Sequence, residues 1–561
     1  MPLPLKFRFC LAVAIVWYGA VALYGQAAEP TVRFTTTTDL VTVPVVLTDK
    51  SGKHIQGLGK DDFSVLQDGK EQKIAILEEV QRSSDVLPST ASYQKNLFSN
   101  LLPGNVAPRQ LTIFVLDLIN TPFLEQAKAR QALLDFLKES EDHGQLTALL
   151  ELLPKGTKVV RDFTADPSLL AAALKRVNGR TPQTQTHSSG ANPDGSSTSD
   201  NPGSSDMFAD FTQGKQDELQ GGLEAFETRY AITLTMENLQ AIARAYGGLP
   251  GRKALIWVSS GFPFSVSPGM VRRGRTRTRV DTLQTVLPLY EKTWQELNQA
   301  QIAVYPVDIR GLNNMGFLAA RNRFRDPWQN FPPNERWFDA EILNTCRTFA
   351  RETGGSAFYN SNDFKGAFKQ AVEDNSHYYL LSYYLDRQNR KPGWHKLGVK
   401  VNHPGAEVRA KNGFFLTEPA TDPVKAAQSE MQTALGSPMD YTALPITAQW
   451  MNLAPAEQGK KKAVFAIYLG PNSADVNGND GNHLLVDIAA TALTSTGTSA
   501  ALTSQVIDDH LKAENVEMLR QKGLGFQGFL TLASGEYTVR FVVRDRLTGR
   551  MGSVSAPLKI Q

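Results

Sequence analysis

Apolar and polar positions alternate in three different ways along this chain. From Leu111 to Leu116 the residues are almost continuously apolar and run into Asp117 and a short polar turn. Pro122 then opens a segment whose apolar positions, Phe123, Ala127, Leu134 and Leu137, recur at helical spacing. An apolar strand ending in an acid and followed at once by a helix reads as a central strand of a parallel sheet buried on both faces. Ligands on such sheets bind outside the carboxyl ends of the strands, which singles out Asp117.

The same alternation continues. Strands are expected at Gln145 to Leu153, Ala254 to Val258, Ile302 to Val307 and His377 to Leu385. Helices are expected at Asp166 to Val177, Leu223 to Tyr246 (stopped by Gly247-Gly248), Asp281 to Ala300, Trp337 to Glu352 and Asn362 to Asp374. Strands separated by helices predict an α/β class with a doubly wound, Rossmann-like sheet. Before it, residues 30–80 are rich in β-branched residues and in turn signals such as Asp68-Gly69, the pattern of a small β-sandwich-like module. After it, residues 425–561 return to short strands, a C-terminal β-sandwich-like domain. Residues 81–109 read as a linker. Residues 178–215, almost free of apolar side chains, read as a disordered insertion within the 110–416 region.

Composition adds little except at the amino end. With 41% apolar residues, 20% charged and a net charge of +3, nothing calls for a nucleic-acid partner. Residues 1–28 carry Lys6 and Arg8 ahead of an apolar run and then Gly25-Gln26-Ala27-Ala28, a secretory signal peptide that places the mature chain in the periplasm or outside the cell. An uncleaved anchor is the alternative; the apolar run is short for a span. Cys346 is then the lone thiol and reads as a core residue.

Several local patterns, VPVVLTDKSGKHIQGLGKDDFSVLQDGKEQKI, FVLDLINTPFLEQAKARQALLDFL, ALIWVSSGF, IAVYPVDIRGL, ETGGSAFYNSNDFKGAF and HYYLLSYYLD, resemble in order and spacing the von Willebrand factor A-related proteins of acidobacterial type. The resemblance covers about residues 32–416 and implies a Rossmann-like A domain used for adhesion or protein binding, without catalytic activity. It also implies a metal-ion-dependent adhesion site, in which a D-x-S-x-S turn, a distant Thr and an Asp after the fourth strand hold Mg²⁺ or another divalent cation. Here Asp117 fits the first acid and Thr121 the final hydroxyl, Ile119 replaces a Ser, and Asn120 offers an amide oxygen. Thr181 stands for the distant Thr, Ser259 falls where the second Asp is expected, and Asp308 could add a carboxylate from the neighbouring strand end. The site is thus degenerate. The other role open to Asp117 is to accept backbone N–H bonds at the start of the following helix.

Two further insertions follow expected strands at the same sheet edge. One carries Arg272, Arg273, Arg275, Arg277 and Arg279; the other carries Arg323 and Trp328 among more arginines and aromatics. Arginine with aromatics marks interface hot spots and anion recognition, so a basic rim facing a protein or an anionic surface polymer is expected. The loop Asp475 to Asn482 is rich in oxygen ligands but lacks the EF-hand register, and reads as a hairpin loop or a calcium loop. No G-x-S-x-G, H-E-x-x-H or P-loop occurs, and the eight histidines are scattered singly. The leading reading is an exported, non-enzymatic binding protein. The alternatives are an envelope scaffold in which the sandwiches bind and the central domain is structural, and a hydrolase of unfamiliar site.

Overall fold

The computed structural model describes residues 40–81, 96–101, 110–139, 145–177, 226–227, 229–260, 270–273, 276–279, 282–312, 333–385, 391–416, 423–477 and 480–561. The expected signal peptide, the 178–215 insertion, Thr181, Arg275, Arg323 and Trp328 lie outside them.

The strand Gln110–Asp117 is buried over all but its first residue. Its two faces serve two cores. Leu111, Ile113 and Val115 pack with Ile232, Met236 and Leu239 of the helix over 229–246, and with Tyr290 and Phe349. Phe114 and Leu116 pack with Leu133 and Leu137 of the helix Phe123–Glu139 and with Phe368. The strand is flanked by Leu146–Leu153 and Arg252–Ser259, both parallel to it. Ile302–Asp308 adds a parallel edge, and Gly156–Thr164 closes the other edge antiparallel.

The α/β, doubly wound Rossmann-like class expected for this chain is nevertheless overturned, because β structure dominates. Twenty-three strands form six sheets among the described residues, and parallel pairing is confined to the five-stranded sheet. The strand Tyr378–Tyr384, expected to extend that sheet, leaves it. It pairs antiparallel with Leu40–Thr48 and with Ile76–Val80. The open side of Ile302–Asp308 is taken instead by a bridge to Phe358. Nor do the strands of residues 40–80 close a sandwich among themselves. Phe63–Gln67 pairs with Gly393–Val401, so a sandwich of two four-stranded sheets is assembled from both ends of the 40–416 region around Val43, Val45, Val65, Leu381 and Tyr383. Alternating apolar positions announce a strand and say nothing about a partner more than 300 residues away.

A second sandwich holds Ile446–Pro455, Lys461–Leu469 and Leu524–Leu532 against Ser499–His510, His483–Leu493, Gly535–Asp545 and Met551–Ile560. It also recruits Leu97–Ser99 from the stretch read as linker, where Asn100 ties the backbone of Tyr441, Leu444 and Ile446. Among the described residues no helix is long and apolar enough to cross a membrane.

Gly247 and Gly248, which read as a helix stop, also permit a close approach. Thr442 donates through its N–H and its hydroxyl to Ala245 O at 3.0 and 2.8 Å. A Cβ on Gly248 would stand 2.1 Å from Ala443 Cα. Gly248→Ala is therefore expected to destabilise the chain by about 1–3 kcal/mol, as overpacking against backbone does, read as a lower urea midpoint at unchanged slope.

Candidate functional site

At the carboxyl edge of the parallel sheet the backbone turns sharply after Asp117. Asp117 Oδ1 accepts the N–H groups of Ile119 and Asn120 at 3.1 and 3.0 Å. Its Oδ2 accepts from Asn120 Nδ2 at 2.8 Å, Trp257 Nε1 at 3.1 Å and Ser259 Oγ at 3.0 Å. Asn120 Nδ2 also donates to Thr235 Oγ1 at 2.9 Å, and Thr121 Oγ1 accepts Ser260 N–H at 3.3 Å. Asp117 is 1% exposed, and Thr121, Thr235, Ser259 and Ser260 are buried with it. Burial pushes the Asp117 carboxyl up from its ordinary value, while the bonds from Asn120, Ser259 and Trp257 pull it back. The backbone groups it caps belong to the 119–120 turn and precede the helix that starts at Phe123.

The structure thus gathers Asp117, Asn120, Thr121 and Ser259, and adds Thr235, Trp257 and Ser260. Asp308 stands apart. Its register partner is Ser259, which puts it two strands from Asp117, roughly 10 Å between backbones. Both its oxygens hold the Arg310 guanidinium, with Oδ2 to Nη2 at 2.7 Å. Mg²⁺ asks for an octahedron of oxygens at about 2.1 Å with solvent access. At Asp117 one buried carboxylate already receives five protein donors, and the second carboxylate is neutralised by an arginine. The residues do not fit a divalent cation. Asn120 Oδ1 and Ser260 Oγ are buried with no hydrogen-bond partner among the described residues, and a single amide and hydroxyl do not make up that shell.

The arginine insertion folds as a β-hairpin, Met270–Arg273 against Thr276–Arg279. It forms a two-stranded sheet of its own, joined to the chain between Ser260 and the helix Thr282–Gln299, at the edge where the Asp117 turn lies. Arg272 pairs with Arg277 and Met270 with Arg279, so the pleat assigns positions 270, 272, 277 and 279 to one face of the ribbon and Arg273 to the other. A concave pocket lies away from this edge, lined by Phe114, Phe136, Leu170, Lys365, Lys369 and Glu373.

Sequence reasoning missed Thr235 and Trp257. Both read as core positions of an amphipathic helix and an apolar strand, and only their polar atoms reach Asp117 or its partner Asn120. The eligible signal was an indole and a hydroxyl on otherwise apolar elements.

No protein-family model matches the chain. No curated protein matches it either. Among solved structures, a glycosyl hydrolase family 2 member from Bacteroides cellulosilyticus aligns over 33% of this chain and 20% of its own, at 9% identity and a TM-score of 0.15. The pilus adhesin SpaC from Lactobacillus rhamnosus GG aligns over 86% of this chain and 58% of its own, at 8% identity and a TM-score of 0.26. The chain spans less than two thirds of the length of either protein. Neither likeness carries a function to it.

Proposed function

We propose that this chain is an exported, non-enzymatic binding protein that captures an anionic surface partner through the arginine ribbon at 270–279. The observation that carries the reading is the ribbon's register. Arg272, Arg277 and Arg279 fall on one face of a hairpin that pairs with no other sheet among the described residues. A two-stranded hairpin joined at this sheet edge places three arginine positions on one face, and arginine is the side chain suited to pairing with sulfate, phosphate and carboxylate groups. The Asp117 turn plays a different part in this reading. Its carboxylate is taken up by hydrogen bonds within the fold, to Asn120, Trp257 and Ser259. The resemblance to von Willebrand factor A-related proteins supports binding as the class of function, without a metal-bridged contact at this edge.

The test is retention of the full chain on an immobilised sulfated polysaccharide at increasing salt. A variant carrying Arg272→Glu, Arg277→Glu and Arg279→Glu is compared with one carrying the same charge change at the exposed Lys50, Lys53 and Lys70. Exposed pairs contribute about 0.2–1 kcal/mol each, so the ribbon variant is expected to bind about tenfold more weakly or worse, with the control close to the parent. Equal losses in both variants would reduce the effect to net charge and end the proposal.

A further inference from the structure

The loop Asp475 to Asn482, with its oxygen-rich sequence, ends in a constellation that its own residues do not reveal. Asn477 and His483 exchange backbone hydrogen bonds, N–H to O at 2.9 and 3.1 Å, which closes the loop on itself. Gly481 and Asn482 both take the left-handed conformation, with φ of 60° and 58°. That reversal folds Asp480 back over the strand His483–Leu493. The partner strand Ser499–His510 is paired in a register that sets His510 opposite His483. The two imidazoles lie parallel, 4.6 Å apart at 3°. Gly481 abuts the His510 ring, and a Cβ there would come to 3.3 Å of Cδ2.

Asp480 reaches both rings. Its Oδ2 is 3.1 Å from His483 Nδ1 and its Oδ1 is 4.0 Å from His510 Nε2. The ligand atoms of Asp480, His483 and His510 all lie within 4.8 Å of one another. In a tetrahedral zinc site with bonds of about 2.0–2.1 Å the ligand atoms are about 3.3 Å apart. The three must therefore draw together, and the exposed His510 ring must turn out of the parallel stack to aim its in-plane lone pair at the same ion. The other nitrogen of His483 is engaged as well. Nε2 lies 2.8 Å from Asp508 Oδ1, so the ring stands between two carboxylates, and an ion bound at Nδ1 would replace the proton shared with Asp480. A carboxylate on the far nitrogen of an imidazole is the arrangement that orients metal-bound histidines.

We propose that His483, His510 and Asp480 form a binding site for a divalent transition-metal ion of the zinc class, with Asp508 as the positioning residue behind His483. Two imidazoles with one carboxylate favour zinc, nickel or copper over the hard cations Mg²⁺ and Ca²⁺, which take oxygen. The calcium reading of the loop is set aside on the same ground. Asp475, the acid at its other end, is 3.5 Å from Arg550 Nη2 instead. Asp480 and His510 are exposed, so the fourth position is open to solvent or to a side chain of a partner. The inference rests on the C-terminal sandwich alone and stands whether or not the arginine ribbon binds polyanions.

Titration of the untagged full chain with Zn²⁺, in competition with a chromophoric chelator, tests it. The parent is expected to bind one ion saturably. A His483→Ala, His510→Ala double variant should lose that binding. Asp508→Asn should weaken it about 10- to 100-fold while leaving the stoichiometry unchanged. His510→Ala alone removes a mostly exposed ring and keeps the fold, so the Zn²⁺-induced rise in melting temperature of the parent should vanish in it. Absence of saturable binding by the parent would overturn the site, as would a double variant that still binds one ion with the same affinity.

Discussion

Asp117→Asn is expected to lower the stability of the chain by about 3–5 kcal/mol, although the two side chains have nearly the same shape. The carboxylate accepts from two backbone N–H groups, an amide, an indole and a hydroxyl, all of them buried. An asparagine offers one oxygen. If that oxygen keeps the turn of Ile119 and Asn120, the new amide N–H₂ faces Asn120 Nδ2, Trp257 Nε1 and Ser259 Oγ, which are donors in the parent. Buried donors without acceptors cost about 1–3 kcal/mol each, and part of that is recovered by small shifts. The loss should show as a lower denaturant midpoint of equal size in Mg²⁺ and in EDTA. A variant as stable as the parent, or a parent whose midpoint rises with Mg²⁺, would mean that the carboxylate is not tied up as described.

Arg540→Met should cost a comparable amount, about 3–5 kcal/mol at neutral pH, for a related reason. Arg540 is 1% exposed and clamps the end of the helix Pro423–Gly436 to the second sandwich. Its Nε donates to Ala434 O at 2.7 Å, and its Nη2 to Met439 O and to Ser553 Oγ. Its Nη1 donates to Asp440 Oδ1 and to Ser555 Oγ, both at 2.9 Å. Methionine fills much of the volume and supplies none of these donors. The pH dependence identifies the mechanism. Burial pushes the Asp440 carboxyl up to about 6, with Arg540 pulling it back. A carboxyl raised in the folded state contributes stability that is fully present below its unfolded value, near 3.8, and is lost as pH rises through about 6. Without Arg540 the folded value rises further and the loss at neutral pH grows. The difference between parent and variant should therefore be larger at about pH 8 than at about pH 5. A difference independent of pH would assign the cost to packing alone.

The polar groups around Asp117 and Arg540 show where reading from sequence stops. Asp117 was visible as an acid closing an apolar strand, and its neighbours Asn120 and Thr121 as a polar turn. Its other partners come from residues 140 and 142 positions away, on a strand whose sequence announces only burial. Arg540 lies in a strand that alternates like its neighbours, and nothing local marks it as buried. The strand Ser499–His510, mostly exposed, lacks the apolar rhythm of its neighbours, so its local sequence does not announce a strand. With it went the pairing of His510 and His483, so that histidines read as scattered now stand face to face.

By itself the sequence determined the local elements. The strand from Leu111 to Asp117, the helix behind Pro122, the stop at Gly247-Gly248 and the Arg-rich insertion follow from side-chain periodicity, backbone freedom and charge, all of which act within a few residues. Tertiary structure decided which strands meet. It sent Tyr378–Tyr384 to Leu40–Thr48 instead of to the parallel sheet, drew Leu97–Ser99 into the second sandwich, and closed the Asp117 carboxylate to outside ligands. Those choices rest on complementarity between faces far apart along the chain. Each such pairing must overcome a loop-closure entropy that grows only slowly with length, so distance along the chain places little constraint on the partner.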